Sequence, residues 1–79
     1  IEGLGEFTRA LASYESALVL DSTYAPAHAK IGSISEKVGK WQKAQRHYES
    51  FLRHWRGGAE TREDVRTRLR LLAEKQPLR

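Results

Sequence analysis

The chain's three histidines are its best candidates for acid–base or metal chemistry, because it contains no cysteine to act as a nucleophile or thiolate ligand. His47 and His54 are seven residues apart, which separates them by two turns and about 10 Å along a helix. A helical zinc site needs two histidines four residues apart beside a glutamate. We therefore expect no metal site, and we interpret His28 as a half-buried packing residue. We predict no catalytic residues, no enzyme activity and no cofactor.

Neither the glycine pair nor the aromatic residues point to nucleotide or nucleic-acid binding. Gly57 and Gly58 are not followed by the Gly-Lys-Ser/Thr of a phosphate loop, so they are interpreted as a helix stop and a flexible elbow. The aromatic residues recur at helical spacing, which is typical of a core rather than of a stacking platform. Trp55 is the exception, since it either packs on Leu71 and Leu72 or serves as an exposed anchor for a partner.

A stripe of arginines follows one face of the last predicted helix. Arg62, Arg66 and Arg70 are spaced four residues apart. One interpretation is a solvated surface whose arginines pair with nearby acids; the other is a contact with an acidic protein surface or anionic lipid headgroups. The net charge of +4 is spread among interleaved acids, so it does not specify nucleic acid, and we expect neither nucleic acid nor a membrane as partner. The nearby acids are Glu63, Asp64 and Glu74.

Length and composition indicate one small domain. A chain of 79 residues buries only a marginal core unless its packing is regular or partner chains contribute. Glu2 and Glu6 interrupt the start, and no apolar run there resembles a signal peptide or a membrane span. The compartment stays open, with the cytoplasm slightly favoured.

Apolar residues recur at three- and four-residue steps in four segments, which predicts four amphipathic helices. Thr23 is predicted to cap the second helix, with Pro26 in its first turn and Gly39 as its stop. Pro77 is predicted to follow the end of the last helix, whose apolar face is Val65, Leu69, Leu72 and Leu71. The predicted helices cover residues 6–20, 24–38, 40–54 and 60–75.

The sequence repeats itself at a spacing of 34 residues. A period of this length is typical of helix–turn–helix repeats, each of which buries its apolar face by stacking on its neighbours. We therefore predict an all-α fold of antiparallel helical hairpins. The identical pairs are Gly5/Gly39, Ala10/Ala44, Tyr14/Tyr48, Glu15/Glu49, Ser16/Ser50 and Leu18/Leu52.

Residues 24–56 resemble a tetratricopeptide repeat. The first-helix signature is His28-x-x-Ile31-Gly32-x-x-Ser35, and the second is Ala44-x-x-x-Tyr48 with Gly39 and Trp41 at the turn before it. By the same resemblance, residues 6–20 are the second helix of an incomplete repeat and residues 60–75 form a capping helix. The resemblance implies an α-solenoid fragment.

Small residues explain the pattern physically. Gly32 and Ala44 allow the two helices of one hairpin to approach closely, so that Ile31, Trp41 and Tyr48 close over the contact. A large residue at either small position is expected to overpack the hairpin by roughly 1–3 kcal/mol.

The two ends of the array differ. Arg66 stands at the place equivalent to Gly32, so we expect no further helix to pack closely there, and the array ends with the capping helix. The first helix lacks a hairpin partner, so its apolar face of Phe7, Leu11 and Tyr14 is a candidate assembly face. Either further repeats precede Ile1, as we expect, or another chain supplies the missing helix.

The resemblance implies a scaffold that binds a peptide or helix of another protein in a concave groove. Lys30, Lys37 and Arg62 are candidates to bind an acidic peptide, although a merely solvated face is the simpler interpretation. Ser33 replaces the asparagine of the carboxylate-clamp subset, so recognition of a chaperone carboxyl terminus is not expected. The alternative function is self-association through the assembly face. The groove positions are Ala29, Lys30, Ser33, Glu36, Lys37, Arg62 and Glu63, with Thr67 following.

Overall fold

Four helices make up the computed structural model, which describes residues 2–76 and the side chains of residues 5–76. No strand occurs in these residues, so the predicted all-α fold is confirmed. Pro77 lies outside the described residues. The helices are α1 (Glu2–Leu20), α2 (Ala25–Lys37), α3 (Trp41–His54) and α4 (Ala59–Lys75).

The connection between α1 and α2 differs from the prediction. Tyr24, not Thr23, is the N-cap residue of α2, and it makes no side-chain capping hydrogen bond. The Thr23 backbone N–H and hydroxyl both donate to Asp21 Oδ1, at 3.0 and 2.7 Å. Thr23 is thus occupied by a local Asx turn, an arrangement that competes with capping. Pro26 lies in the first turn of α2 as predicted.

The turn between α2 and α3 contains Gly39, the residue at which the sequence predicts the end of α2. This glycine has a φ of +83°, which residues with a side chain rarely adopt. The Lys40 N–H donates to the Ser35 carbonyl at 2.8 Å, so a carbonyl at the end of α2 is satisfied across the turn. The left-handed glycine reverses the chain and allows α3 to return along α2.

The connection between α3 and α4 is packed rather than a free elbow. α3 ends at His54, as predicted, and the glycine pair follows within the connection to α4. The Trp55 ring stacks on Phe51 with centroids 5.0 Å apart, and its Nε1–H donates to the Gly58 carbonyl at 3.1 Å. A Cβ at Gly57 would lie 2.2 Å from the Trp55 ring. Gly57 therefore gives the indole room to lie over the connection.

The tightest packing joins α2 and α3, the pair of helices that we call the hairpin. Ile31 and Ala44 are fully buried, and a Cβ at Gly32 would lie 2.7 Å from the Tyr48 ring. The close approach predicted at Gly32 is therefore present. Trp41 is half-buried, with Lys75 Nζ of α4 4.9 Å from its ring centroid.

The outer helices are attached less deeply. α4 contributes Val65 and Leu72 to the core. Leu71 remains 40% exposed, so its predicted place on the apolar face of α4 is wrong. α1 packs against α2, and none of its side chains from residue 5 onward is buried.

Candidate functional site

The exposed face of α2 carries four of the predicted groove residues, and we call Ala29, Lys30, Ser33 and Lys37 the α2 face. Ala29 and Ser33 are half-buried, and Lys30 and Lys37 are exposed. Because residues four apart are neighbours on a helix surface, Ala29, Ser33 and Lys37 form one continuous stripe. The structure therefore brings small residues and cationic groups together on one accessible surface.

Glu36 does not belong to that surface, and its prediction as a groove residue is wrong. Its side chain is buried, with the residue only 7% exposed. The Tyr48 hydroxyl donates to Glu36 Oε1 at 2.9 Å, and Arg68 Nε donates to the same oxygen at 3.2 Å. A terminal nitrogen of Arg68 pairs with Oε2. Three helices thus meet at this carboxylate, which leaves it no role toward a partner in this conformation.

The same contacts shift the pKa values of the partners of Glu36. Burial, and then the hydrogen bond to the Glu36 carboxylate, raise the pKa of the Tyr48 phenol to about 12. The hydrogen bond to Glu36 raises the pKa of the Arg68 guanidinium. Both groups therefore stay protonated at neutral pH and keep donating to the buried carboxylate.

Arg62 and Glu63, the groove residues predicted on α4, bond to residues of α4 itself or of the connection before it. Arg62 is half-buried and donates to the Trp55 carbonyl at 3.3 Å. Glu63 is exposed and pairs with Arg66 at 3.0 Å, an exposed ion pair worth at most about 1 kcal/mol. Arg66 thus pairs with a nearby acid, as the solvated-surface interpretation expects, whereas Arg62 bonds to a backbone carbonyl. Thr67 is exposed.

The candidate assembly face is partly covered by α2. Phe7, Leu11 and Tyr14 are half-buried, and Lys37 Nζ lies 5.7 Å from the Phe7 ring centroid. Greater exposure occurs at the carboxyl end of α1, where Val19 is 85% and Leu20 is 89% exposed. The apolar surface of α1 thus extends beyond the three predicted residues.

Sequence reasoning missed that the histidines lie together. His28 of α2 and His47 of α3 have ring centroids 5.2 Å apart, and the His54 ring stacks 6.3 Å from that of His28. His28 is 8% exposed, more deeply buried than predicted. The signal was available, since His28 occupies a position facing α3 and a seven-residue spacing places His47 and His54 on one face of that helix.

Within residues 5–76, no group of three or more His, Cys, Asp or Glu side chains is arranged to hold a metal ion. Among the described helices, none combines the length and the apolar character needed to cross a membrane.

Comparison of the chain with protein-family models, curated proteins and solved structures finds no match.

Proposed function

We propose that this chain is a tetratricopeptide-type scaffold that binds an acidic peptide or helix of another protein along the α2 face. The observation that carries the proposal is the combination, on one helix face, of two lysines without ion pairs and two short residues. Lys30 and Lys37 are exposed, and among residues 5–76 neither forms an ion pair with a carboxylate. Among the described residues Lys43, Arg66 and Arg68 form such ion pairs, whereas Arg53 and Arg70 do not, so the lack of a pair is informative only together with the short residues of the α2 face.

The chemistry of the α2 face favours a partner that approaches closely and carries negative charge. Ala29 and Ser33 are short, so a peptide backbone or a helix can approach α2 between the lysines. Ammonium groups make charge-assisted hydrogen bonds with carboxylates, which are stronger than neutral ones. The half-buried Ser33 adds a hydroxyl that both donates and accepts.

The direct test is selection of binding sequences from a random peptide library on the immobilised chain, followed by affinity measurements on the enriched peptides. We expect enrichment of Asp and Glu. The double variant Lys30→Glu/Lys37→Glu is expected to bind these peptides about tenfold more weakly, because it replaces two attractive charges by two repulsive ones at roughly 0.5–1 kcal/mol each.

The matched control is Arg53→Glu/Arg70→Glu, which makes the same change in net charge at exposed positions on α3 and α4. It is expected to leave the affinity nearly unchanged. An equal loss in both double variants would mean that only the overall charge attracts peptides, and no enrichment at all would rule out the proposed role.

Self-association is the second candidate function, and the exposed apolar surface of α1 favours it. Val19 and Leu20 are almost fully exposed, and the assembly face is only half covered. Sedimentation equilibrium over a wide concentration range is expected to give a dimer that Leu11→Glu converts to monomer. Ser13→Glu, at an exposed position of the same helix, is the control. A wild-type chain that stays monomeric at every concentration would exclude this function.

A further inference from the structure

His28 and His47 approach each other through the same ring nitrogen, and we call these two residues the histidine pair. Their Nδ1 atoms are 3.0 Å apart, which is a hydrogen-bond distance. His28 Nε2 lies 2.9 Å from the Ser22 carbonyl oxygen in the α1–α2 connection. The pair therefore connects α2 to α3 on one side and to the end of α1 on the other.

The Ser22 contact fixes where the protons are. A carbonyl oxygen only accepts, so His28 Nε2 carries a proton and donates it to Ser22. In neutral His28 the other nitrogen, Nδ1, is then an acceptor. The facing Nδ1 of His47 must carry the proton that lies between the two rings. Neutral His47 is thus the Nδ1–H tautomer, with a bare Nε2.

These assignments limit how many protons the pair can bind. One added proton fits at His47 Nε2, because the Nδ1–H of His47 still donates to His28. A second added proton could go only to His28 Nδ1. It would direct two N–H groups at each other across 3.0 Å. It would also place two positive rings 5.2 Å apart, one of which is the buried ring of His28. The second proton is compatible only with separation of the rings.

We propose that the histidine pair is a pH-sensitive device that holds the amino-terminal part of α2 against α3 at neutral pH and releases it in acid. Gly39 closes the other end of the hairpin, so the release occurs at the end where α1 joins α2. This inference does not depend on the proposed binding function.

The groups around the pair disfavour a second charge there. On α3, Lys43 and Arg46 repel a proton on His47, and only Glu15 of α1 attracts it. Glu15 is already paired with Lys43 at 3.0 Å. The His54 ring also stacks against His28, and the carboxylate of Asp21 in the α1–α2 connection interacts electrostatically with His54.

The direction of the pH effect follows from these surroundings. Burial lowers the pKa of His47, and the His28 ring and the neighbouring cations lower it further. In the unfolded chain His47 has an ordinary pKa and binds its proton at a higher pH. The folded chain then binds fewer protons, so its stability is complete above the unfolded pKa and is lost as the pH falls toward the folded pKa.

The first test reads the tautomers directly. Long-range ¹H–¹⁵N correlation spectra of the ¹⁵N-labelled chain at neutral pH report which ring nitrogens carry protons. We expect a proton on Nε2 of His28 and on Nδ1 of His47. A bare Nδ1 on His47 would overturn the proposal, and this measurement needs no variant that must fold.

The second test measures urea unfolding from about pH 8 to about pH 5. In His47→Gln the amide can still bond His28 but does not titrate. Below the ordinary histidine pKa, the unfolding constant of the wild-type chain is expected to rise more steeply than that of His47→Gln, by up to about tenfold per pH unit. His54→Gln, which lacks the ring stacked on His28 but keeps the pair, is expected to retain the proton positions of His28 and His47 in the spectra of the first test. Equal slopes for wild type and His47→Gln would refute the proposal. Neither test involves a partner, so their failure would leave the proposed function untouched.

Discussion

The hairpin and α1 contain the same residue types at equivalent places, yet they are buried to different depths. Ala44 and Tyr48 of the hairpin are 0% and 4% exposed, whereas Ala10 and Tyr14 of α1, 34 residues earlier, are only half-buried. α3 packs against both α2 and α4, but α1 packs against α2. In a repeat, the depth of burial thus depends on how many helices surround a position as well as on the residue that occupies it.

Replacing the two equivalent tyrosines gives the largest expected contrast. Tyr48→Ala removes a buried ring and leaves the Glu36 carboxylate without the hydroxyl, at an expected cost of about 3–5 kcal/mol. Tyr14→Ala is expected to cost about 1 kcal/mol, because its ring already contacts water. Urea unfolding followed by circular dichroism measures both. Equal losses would show that α1 is as firmly packed as the hairpin.

Alkaline titration probes the burial of Tyr48 in the hairpin without removing a ring. The folded pKa of Tyr48, about 12, is above the ordinary tyrosine value of about 10. Stability from this group is complete below about pH 10 and is lost as the pH rises toward about 12, by up to about tenfold in the unfolding constant per pH unit.

The control for this titration is Tyr48→Phe, which keeps the ring but has no proton to lose. We expect its unfolding constant to rise less steeply above about pH 10 than that of the wild-type chain. Parallel curves for Tyr48→Phe and the wild type would contradict the assignment.

Two glycine substitutions are expected to have opposite signs. Gly32→Ala places a Cβ 2.7 Å from the Tyr48 ring and is expected to destabilise the chain by roughly 1–3 kcal/mol. Gly5→Ala meets no atom within 4 Å and gains helix propensity, so it is expected to stabilise α1 by up to about 1 kcal/mol. Thermal unfolding midpoints measure both. A stabilising Gly32→Ala would disprove the close approach of α2 and α3.

The smallest expected effect concerns an unsatisfied polar group that is buried in the hairpin. The Ser35 hydroxyl is buried without a hydrogen-bond partner among the described residues. Ser35→Ala removes this unsatisfied group and is expected to stabilise the chain by about 1 kcal/mol. Ser33→Ala, at a half-buried position two residues away and so on a different face of α2, should change stability by less than about 0.5 kcal/mol. A loss of stability in Ser35→Ala would indicate that its hydroxyl does have a partner.

The elements that the sequence predicted depend on local patterns. Apolar periodicity located the four helices, and Gly39 marked the turn because a left-handed residue is a local requirement. Thr23 was misjudged because Asp21, two residues earlier, competes for its hydroxyl and N–H. A capping rule considers the residue and the helix that follows, and it omits the residue before it.

The contacts that the sequence did not predict join distant parts of the chain. The family resemblance implies that Glu36 faces the groove, but Arg68 reaches its carboxylate from 32 residues away. His28 and His47 meet across 19 residues. Such pairings are decided by how the helices dock and by which long side chains extend between them, and spacing within one helix does not contain that information.

The two tryptophans give this chain a pair of built-in optical reporters. Trp41 lies beside the Lys75 ammonium at the end of α4, whereas Trp55 stacks on Phe51 and hydrogen-bonds within the connection before α4. Detachment of the carboxyl end of α4 would remove a cation from one indole and leave the other in place. Fluorescence of the Trp41→Phe and Trp55→Phe chains would therefore show, in real time, whether α4 leaves the hairpin from its far end or as a unit.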